Sequence, residues 1–162
     1  MYIDLHSHTT ISDGVLEPEE LVDYAAGKGI KYLAITDHDA TDGLIKASAR
    51  AQLYQSLTII PGVELSTDVP GGEVHLLGYY MSYQESRFQD VLANFRQARV
   101  GRAQGMVKKL SALGLELEWD RVKTLAGDGS IGRPHVAQAL VEKGHAKSIK
   151  EAFDKYIGRL GP

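Results

Sequence analysis

Strand-like and helix-like stretches alternate along residues 2–80, and most of the strand-like stretches run out into residues able to bind a metal. Tyr2, Ile3 and Leu5 read as a short buried strand leading into His6-Ser-His8. Residues i and i+2 of an extended chain share a face. The two imidazoles therefore leave the strand together, and Asp13 follows after a turn. Glu17-Pro18-Glu19-Glu20 marks a helix start. Leu21, Val22, Tyr24, Ala25 and Ala26 supply its apolar face, and Gly29 is placed to end it. Residues 30–36 form a mostly apolar second strand, ending at Asp37-His38-Asp39. A helix over roughly 43–55 leads to a third strand, 57–63, which ends at Glu64, with Pro61 and Gly62 arguing for a bend. After a turn at 68–72, a fourth strand over 73–80 contains His75.

Alternation of this kind with short connections implies an α/β fold of parallel strands and crossover helices. Ligand sites in such folds form at the carboxyl ends of the strands. His6, His8, His38 and Glu64 fall there. His75 does not fit, because it lies near the start of its strand.

The character changes beyond residue 83. Apolar residues recur at helical spacing from about Glu85 to Leu113, and Gly114 stops that helix. Residues 119–125 read as a short helix, and Pro134 opens another that Gly144 closes. Ser148-Ile-Lys-Glu151 matches a capping box at the start of a last helix. Residues 84–158 therefore read as a helical insertion after a first part over 1–83, and 159–162 as the start of a return.

The chain of 162 residues carries a formal charge of -3, which predicts no broad nucleic-acid-binding surface. It has no cysteine, so a metal site must be built from His, Asp and Glu. No apolar run is long enough to span a bilayer, and no basic-then-apolar leader opens the sequence, so a cytoplasmic protein is expected.

An H-x-H pair alone fits two surface histidines as well as a metal site. Singly, each of the other candidates also reads as a polar strand end. Together His6, His8, Asp13, His38, Glu64 and His75 exceed what one tetrahedral ion needs. They suit two ions roughly 3.5–4 Å apart, bridged by a carboxylate. Glu64, behind a buried strand, is the best bridge. Imidazole and carboxylate donors favour Zn, Mn or Fe over Ca or Mg. Asp37 and Asp39, flanking His38, are candidates to orient imidazoles from behind. No nucleophilic triad competes, so hydroxide generated on a metal is the expected nucleophile, and on a phosphate ester it would attack phosphorus in line. Arg96, Arg99 and Arg102 read as a solvated helix face, or as a track for a second phosphate or an RNA backbone.

His6-Ser-His8, Ser12-Asp13-Gly14, Thr36-Asp-His38-Asp39, Pro61-Gly-Val-Glu64 and Val74-His75-Leu-Leu-Gly78 resemble the PHP (polymerase and histidinol phosphatase) domain family. Ile35-Thr-Asp-His-Asp39, Gly62-Val-Glu-Leu-Ser66 and Gly132-Arg-Pro-His135 are similar to its stand-alone phosphoesterase branch, acting on nucleotides and RNA 5′ ends. The resemblance implies the first half of a distorted (β/α)7 barrel with a helical insertion. It implies two to three divalent metals, Mn or Zn foremost with Fe also in use, held by His6, His8, Asp13, His38, Glu64 and His75. It implies hydrolysis of nucleoside 3′,5′-bisphosphates or short RNAs, with Arg133 and His135 on the substrate side. A PHP phosphatase on another small phosphate, such as histidinol phosphate, is the alternative. The family's later His-Pro and Asp-x-His ligands do not occur in these residues. That pattern reads as the first half of a larger domain, with two consequences: an inactive metal-binding fragment as a third reading, and an open barrel edge favouring self-association.

Overall fold

A computed structural model describes residues 2–69 and 72–158. The middle of the expected turn at 68–72 and the expected return at 159–162 lie outside the described residues. Four strands, β1 (Tyr2–Asp4), β2 (Ile30–Ile35), β3 (Thr58–Val69) and β4 (Gly72–Tyr79), form one sheet in the order β1-β2-β3-β4. Helix α1 (Pro18–Gly27) connects β1 to β2, and α2 (Gly43–Ala51) connects β2 to β3. These are two βαβ units, so β1, β2 and β3 run parallel, with Tyr32 opposite Thr58 and Ile35 opposite Pro61.

The fourth strand departs from the expected pattern. β4 returns directly from β3 as an antiparallel hairpin, with Glu64 opposite Leu77 and Ser66 opposite His75. β3 does not stop at Glu64 but runs on to Val69, because its second half has β4 as partner. Pro61 and Gly62 sit where β3 changes from pairing with β2 to pairing with β4. The sheet is curled into a half-barrel. Tyr79, on β4, donates its hydroxyl to the Leu5 carbonyl just beyond β1, at 2.7 Å.

The chain parts into two compact units, Met1–Arg96 and Gln97–Pro162, and the division falls inside α3 (Ser86–Ala112). In the first unit Val22 and Ala25 of α1, Leu44 and Ala47 of α2, and Leu33 and Ile35 of β2 form the core. Val22, Leu33 and Leu44 are at most 1% exposed. Burial of side chains of this size stabilises by about 1.5–3 kcal/mol each. α1 and α2 are also tied by Asp23, which accepts from Arg50 Nε at 2.6 Å, Arg50 Nη2 at 2.7 Å and Tyr54 Oη at 2.8 Å. Along the outer strands Tyr2, Ile3, Leu5, Val74 and Leu76 remain exposed.

The second unit holds α4 (Trp119–Ala126), α5 (Arg133–Glu142) and α6 (Ile149–Ala152), the last continuing into a wider π-type turn, Phe153–Ile157. Leu110, Val122, Val136, Leu140 and Ile157 anchor its core. Ser148 caps α6 by accepting from Glu151 N at 3.1 Å. The reciprocal bond of the capping box goes one residue earlier, from Lys147 N to Glu151 Oε2 at 2.7 Å. No helix among the described residues is long and apolar enough to cross a membrane.

Candidate metal centre

The first wall of the site forms where β1 loses its regular pairing but keeps its course. Ser7 stays tied to β2: its Oγ donates to Ala34 O at 2.6 Å, and Thr36 N donates to Ser7 O at 2.9 Å. His6 and His8, on either side, turn the other way and meet Glu64. His6 Nε2 lies 2.9 Å and His8 Nε2 3.1 Å from Glu64 Oε2.

The second wall is the turn after β2. His38 bridges to Glu64 as a parallel β partner beyond the end of β2, which carries its ring to the same mouth. Its Nδ1 is 3.6 Å from Glu64 Oε2 and its Nε2 is 3.7 Å from Asp13 Oδ2. Asp13 Oδ1 lies 3.5 Å from His8 Nδ1. The hairpin supplies the third wall, with His75 Nδ1 2.8 Å from Glu64 Oε1. Glu64 is thus central: one oxygen faces His6, His8 and His38, and the other faces His75. Its side chain is 5% exposed, whereas that of His6 is 49% exposed, so the site opens on the His6 side.

The donors fall into three overlapping groups: His6, His8 and Glu64; His8, Asp13 and His38; His38, Glu64 and His75. Within each group the donor atoms lie within 4.8 Å of one another. His6 Nε2 and His8 Nε2 are only 3.1 Å apart while both face one carboxylate oxygen. Such a convergence of lone pairs suits a cation between them. Borderline imidazole nitrogens with hard carboxylate oxygens are the donor set of a divalent transition metal or zinc. All six residues singled out in the sequence come together here.

The flanking aspartates hold backbone and loop. Asp37 is buried and accepts from Thr9 N, Thr9 Oγ1 and Ser12 Oγ, each at 2.7 Å. Burial pushes its carboxyl above the ordinary range, and these hydrogen bonds oppose that rise. Ser12 Oγ also lies 3.3 Å from His8 Nδ1. Because the Ser12 proton is committed to Asp37, Ser12 accepts from the imidazole. That leaves the His8 Nε2 lone pair for the site. Asp37 therefore reaches an imidazole through a hydroxyl. Asp39 Oδ1 accepts from Ser66 N at 2.9 Å, which pins the turn after β2 to β3. Thr9 was not singled out from the sequence, and Ser12 entered only as part of the Ser12-Asp13-Gly14 motif, with no role of its own. The only signal for Thr9 there was the loop length between His8 and Asp13-Gly14.

In the second unit Arg133 takes the first position of α5. His135, 8% exposed, accepts from Gly132 N on Nδ1 at 2.9 Å. Its neutral ring therefore carries its proton on Nε2 as a donor. Arg99 is buried rather than solvated, and its Nε donates to Ile131 O at 2.7 Å. A Cβ on Gly132 would stand 2.5 Å from Arg99 Nη2, so only glycine leaves room for that guanidinium.

The PHP domain model matches residues 4–161. The chain belongs to the PHP domain family. Among its PHP relatives, the 5′-3′ exoribonuclease Rnm of Salmonella typhimurium is 38% identical over 159 residues, covering 96% of this chain and 54% of the relative. The 3′,5′-nucleoside bisphosphate phosphatase of Chromobacterium violaceum is 35% identical over 156 residues, again covering 96% and 54%. A solved amidohydrolase from Chromobacterium violaceum, with bound sulfate and no metal, superposes with a TM-score of 0.89 at 34% identity. That match covers 100% of this chain and 57% of the solved one. The chain thus spans about half the length of the curated relatives it matches.

Proposed function

We propose that this PHP chain carries the first set of metal ligands of a phosphoesterase acting on nucleotides, of the nucleoside 3′,5′-bisphosphate or RNA 5′-end type. The observation that carries the reading is Glu64, with imidazoles of three different segments around its two oxygens. The names of the two relatives, an exoribonuclease and a bisphosphate phosphatase, support the substrate class.

His6, His8 and Glu64 would hold one divalent ion, and Asp13, His38 and His75, with Glu64 shared, one or two more; Mn and Zn suit the donors best, with Fe also compatible. Such ions, when bound, offset phosphoryl charge and lower the pKa of water toward neutrality. The protein's part is to keep the donors fixed and deprotonated. Ser12 holds His8 in the tautomer with a free Nε2. Asp37 locks the 9–12 loop behind it. Glu64, shielded by the hairpin, keeps both oxygens turned to the imidazoles. Exposed His6 marks the side on which a phosphate ester enters. Arg133 and His135 are the substrate-side candidates on the Gly132-Arg-Pro-His135 resemblance, a guanidinium being able to match phosphate bidentately.

The test is hydrolysis of adenosine 3′,5′-bisphosphate, a short 5′-phosphorylated RNA and histidinol phosphate, with added Mn²⁺ and with chelator. Turnover of the first two, absent with chelator and in Glu64→Ala, is expected. Preference for histidinol phosphate, or turnover that survives chelation, would overturn the assignment.

A further inference from the structure

His38 stands on a turn whose backbone conformation is held from outside the ligand set. The next residue, Asp39, has φ 52, in the left-handed region. For a residue with a side chain this conformation is disfavoured, and it is held here by the surroundings. Three groups of Asp39 are fixed. Its N–H donates to Glu64 O at 3.0 Å, and its Oδ1 accepts from Ser66 N at 2.9 Å. Its carbonyl oxygen accepts from Arg96 Nη1 at 2.8 Å.

The first two bonds come from β3, which the metal-centre reading already uses. The third comes from α3. Gln89, seven residues before Arg96, donates from Nε2 to Thr41 Oγ1 at 2.8 Å and also to the Tyr83 carbonyl. Seven residues are about two helical turns, so Gln89 and Arg96 share a face. Leu92, fully buried, lies between them. One helix face thus grips residues 39–41 at two points. Arg96 is half-buried, and no carboxylate pairs with it among the described residues. A guanidinium has five N–H donors and no acceptor, and here it is spent on a neutral backbone oxygen.

We propose that Arg96 is a positioning residue for the metal centre. By holding the Asp39 carbonyl it fixes the left-handed turn, and the turn sets where the His38 ring stands relative to Asp13 and Glu64. This rests on the metal-centre reading above. Outer partners that orient a ligand typically govern metal affinity by 10–100-fold.

The test is calorimetric titration of Mn²⁺ into the metal-free full chain, comparing wild type with Arg96→Met, Arg96→Lys and Asp23→Asn. Asp23→Asn removes an anchor in the same unit that touches no ligand, and so reports the effect of plain destabilisation. Arg96→Met should weaken Mn²⁺ binding roughly tenfold. Arg96→Lys, still able to donate to the carbonyl, should recover most of the loss, and Asp23→Asn should bind like wild type. Wild-type affinity in Arg96→Met overturns the proposal, as does an equal loss in Asp23→Asn. If the wild type itself binds no Mn²⁺, the metal-centre reading falls and the role of Arg96 falls with it. Binding by wild type with Arg96→Met unchanged removes only the latter.

Discussion

Glu64 and His75 meet across an antiparallel ladder, His75 Nδ1 lying 2.8 Å from Glu64 Oε1. Glu64 is opposite Leu77 and Ser66 is opposite His75, so the two are diagonal neighbours on one face of the hairpin. That diagonal gives the Glu64 carboxylate a partner on the side away from His6 and His8. Removing either residue should therefore have unequal effects. Glu64→Ala takes a donor from two of the three ligand groups and should abolish tight metal binding. His75→Ala takes a donor from one group and should weaken it by roughly 10–100-fold. Metal content after dialysis, with calorimetric titration, measures both.

Asp37 links the loop carrying His8 to the end of β2. In Asp37→Asn one carboxylate oxygen becomes an amide NH₂, which cannot accept from Thr9 or Ser12. A buried donor left unpaired costs about 1–3 kcal/mol. Chemical denaturation should show that loss. Metal affinity should fall as well, because Ser12 no longer holds His8 in one tautomer.

Gly14 closes the same loop at a point with no space for a side chain. A Cβ there would lie 2.2 Å from His8 O, a backbone atom that cannot swing aside. Gly14→Ala should destabilise by about 1–3 kcal/mol, the usual cost of overpacking. It should displace His8, so thermal unfolding and metal titration should change together. Gly101→Ala is the control: nothing lies within 4 Å of its added Cβ, and helix propensity favours alanine.

The Asp23–Arg50–Tyr54 cluster should give the first unit an acid-sensitive component of stability. Hydrogen bonds from Arg50 and Tyr54 hold the Asp23 carboxyl below its ordinary range. A carboxyl depressed on folding stabilises the native state above its unfolded pKa, and that stability is lost as pH falls through the folded value. The contribution should therefore be intact at neutral pH and fade below about pH 4. Asp23→Asn should lower the thermal midpoint at pH 7 and converge with wild type in strong acid.

The six ligand candidates and the α/β alternation were legible in the sequence for local reasons, while the half-barrel was implied by the family resemblance. Two strands are apolar runs that end in His or Glu, β1 is a short apolar stretch, and the intervening helices carry proline, acidic and glycine signals at their ends. Gly29, Gly114 and Gly144 do take positive φ after their helices, at 74, 79 and 75°. Strand direction was not local. Apolar patterning is the same in parallel and antiparallel strands, and His75 seemed to sit at the wrong end of β4. A parallel neighbour needs a crossover of about a dozen residues, and the short connection between β3 and β4 was the available sign that none exists.

Residue types and their order along the chain determined which donors could form the centre, because ligand chemistry belongs to the side chain. The tertiary structure alone decided how they meet. Reversing β4 brings its first half beside the second half of β3, which turns His75 from a misfit into a partner of Glu64. Packing likewise took Arg99 out of solvent to the Ile131 carbonyl and set Arg96 on Asp39. An arginine on a helix has the same local propensity in either role, and only the chain folded against it determines which it takes.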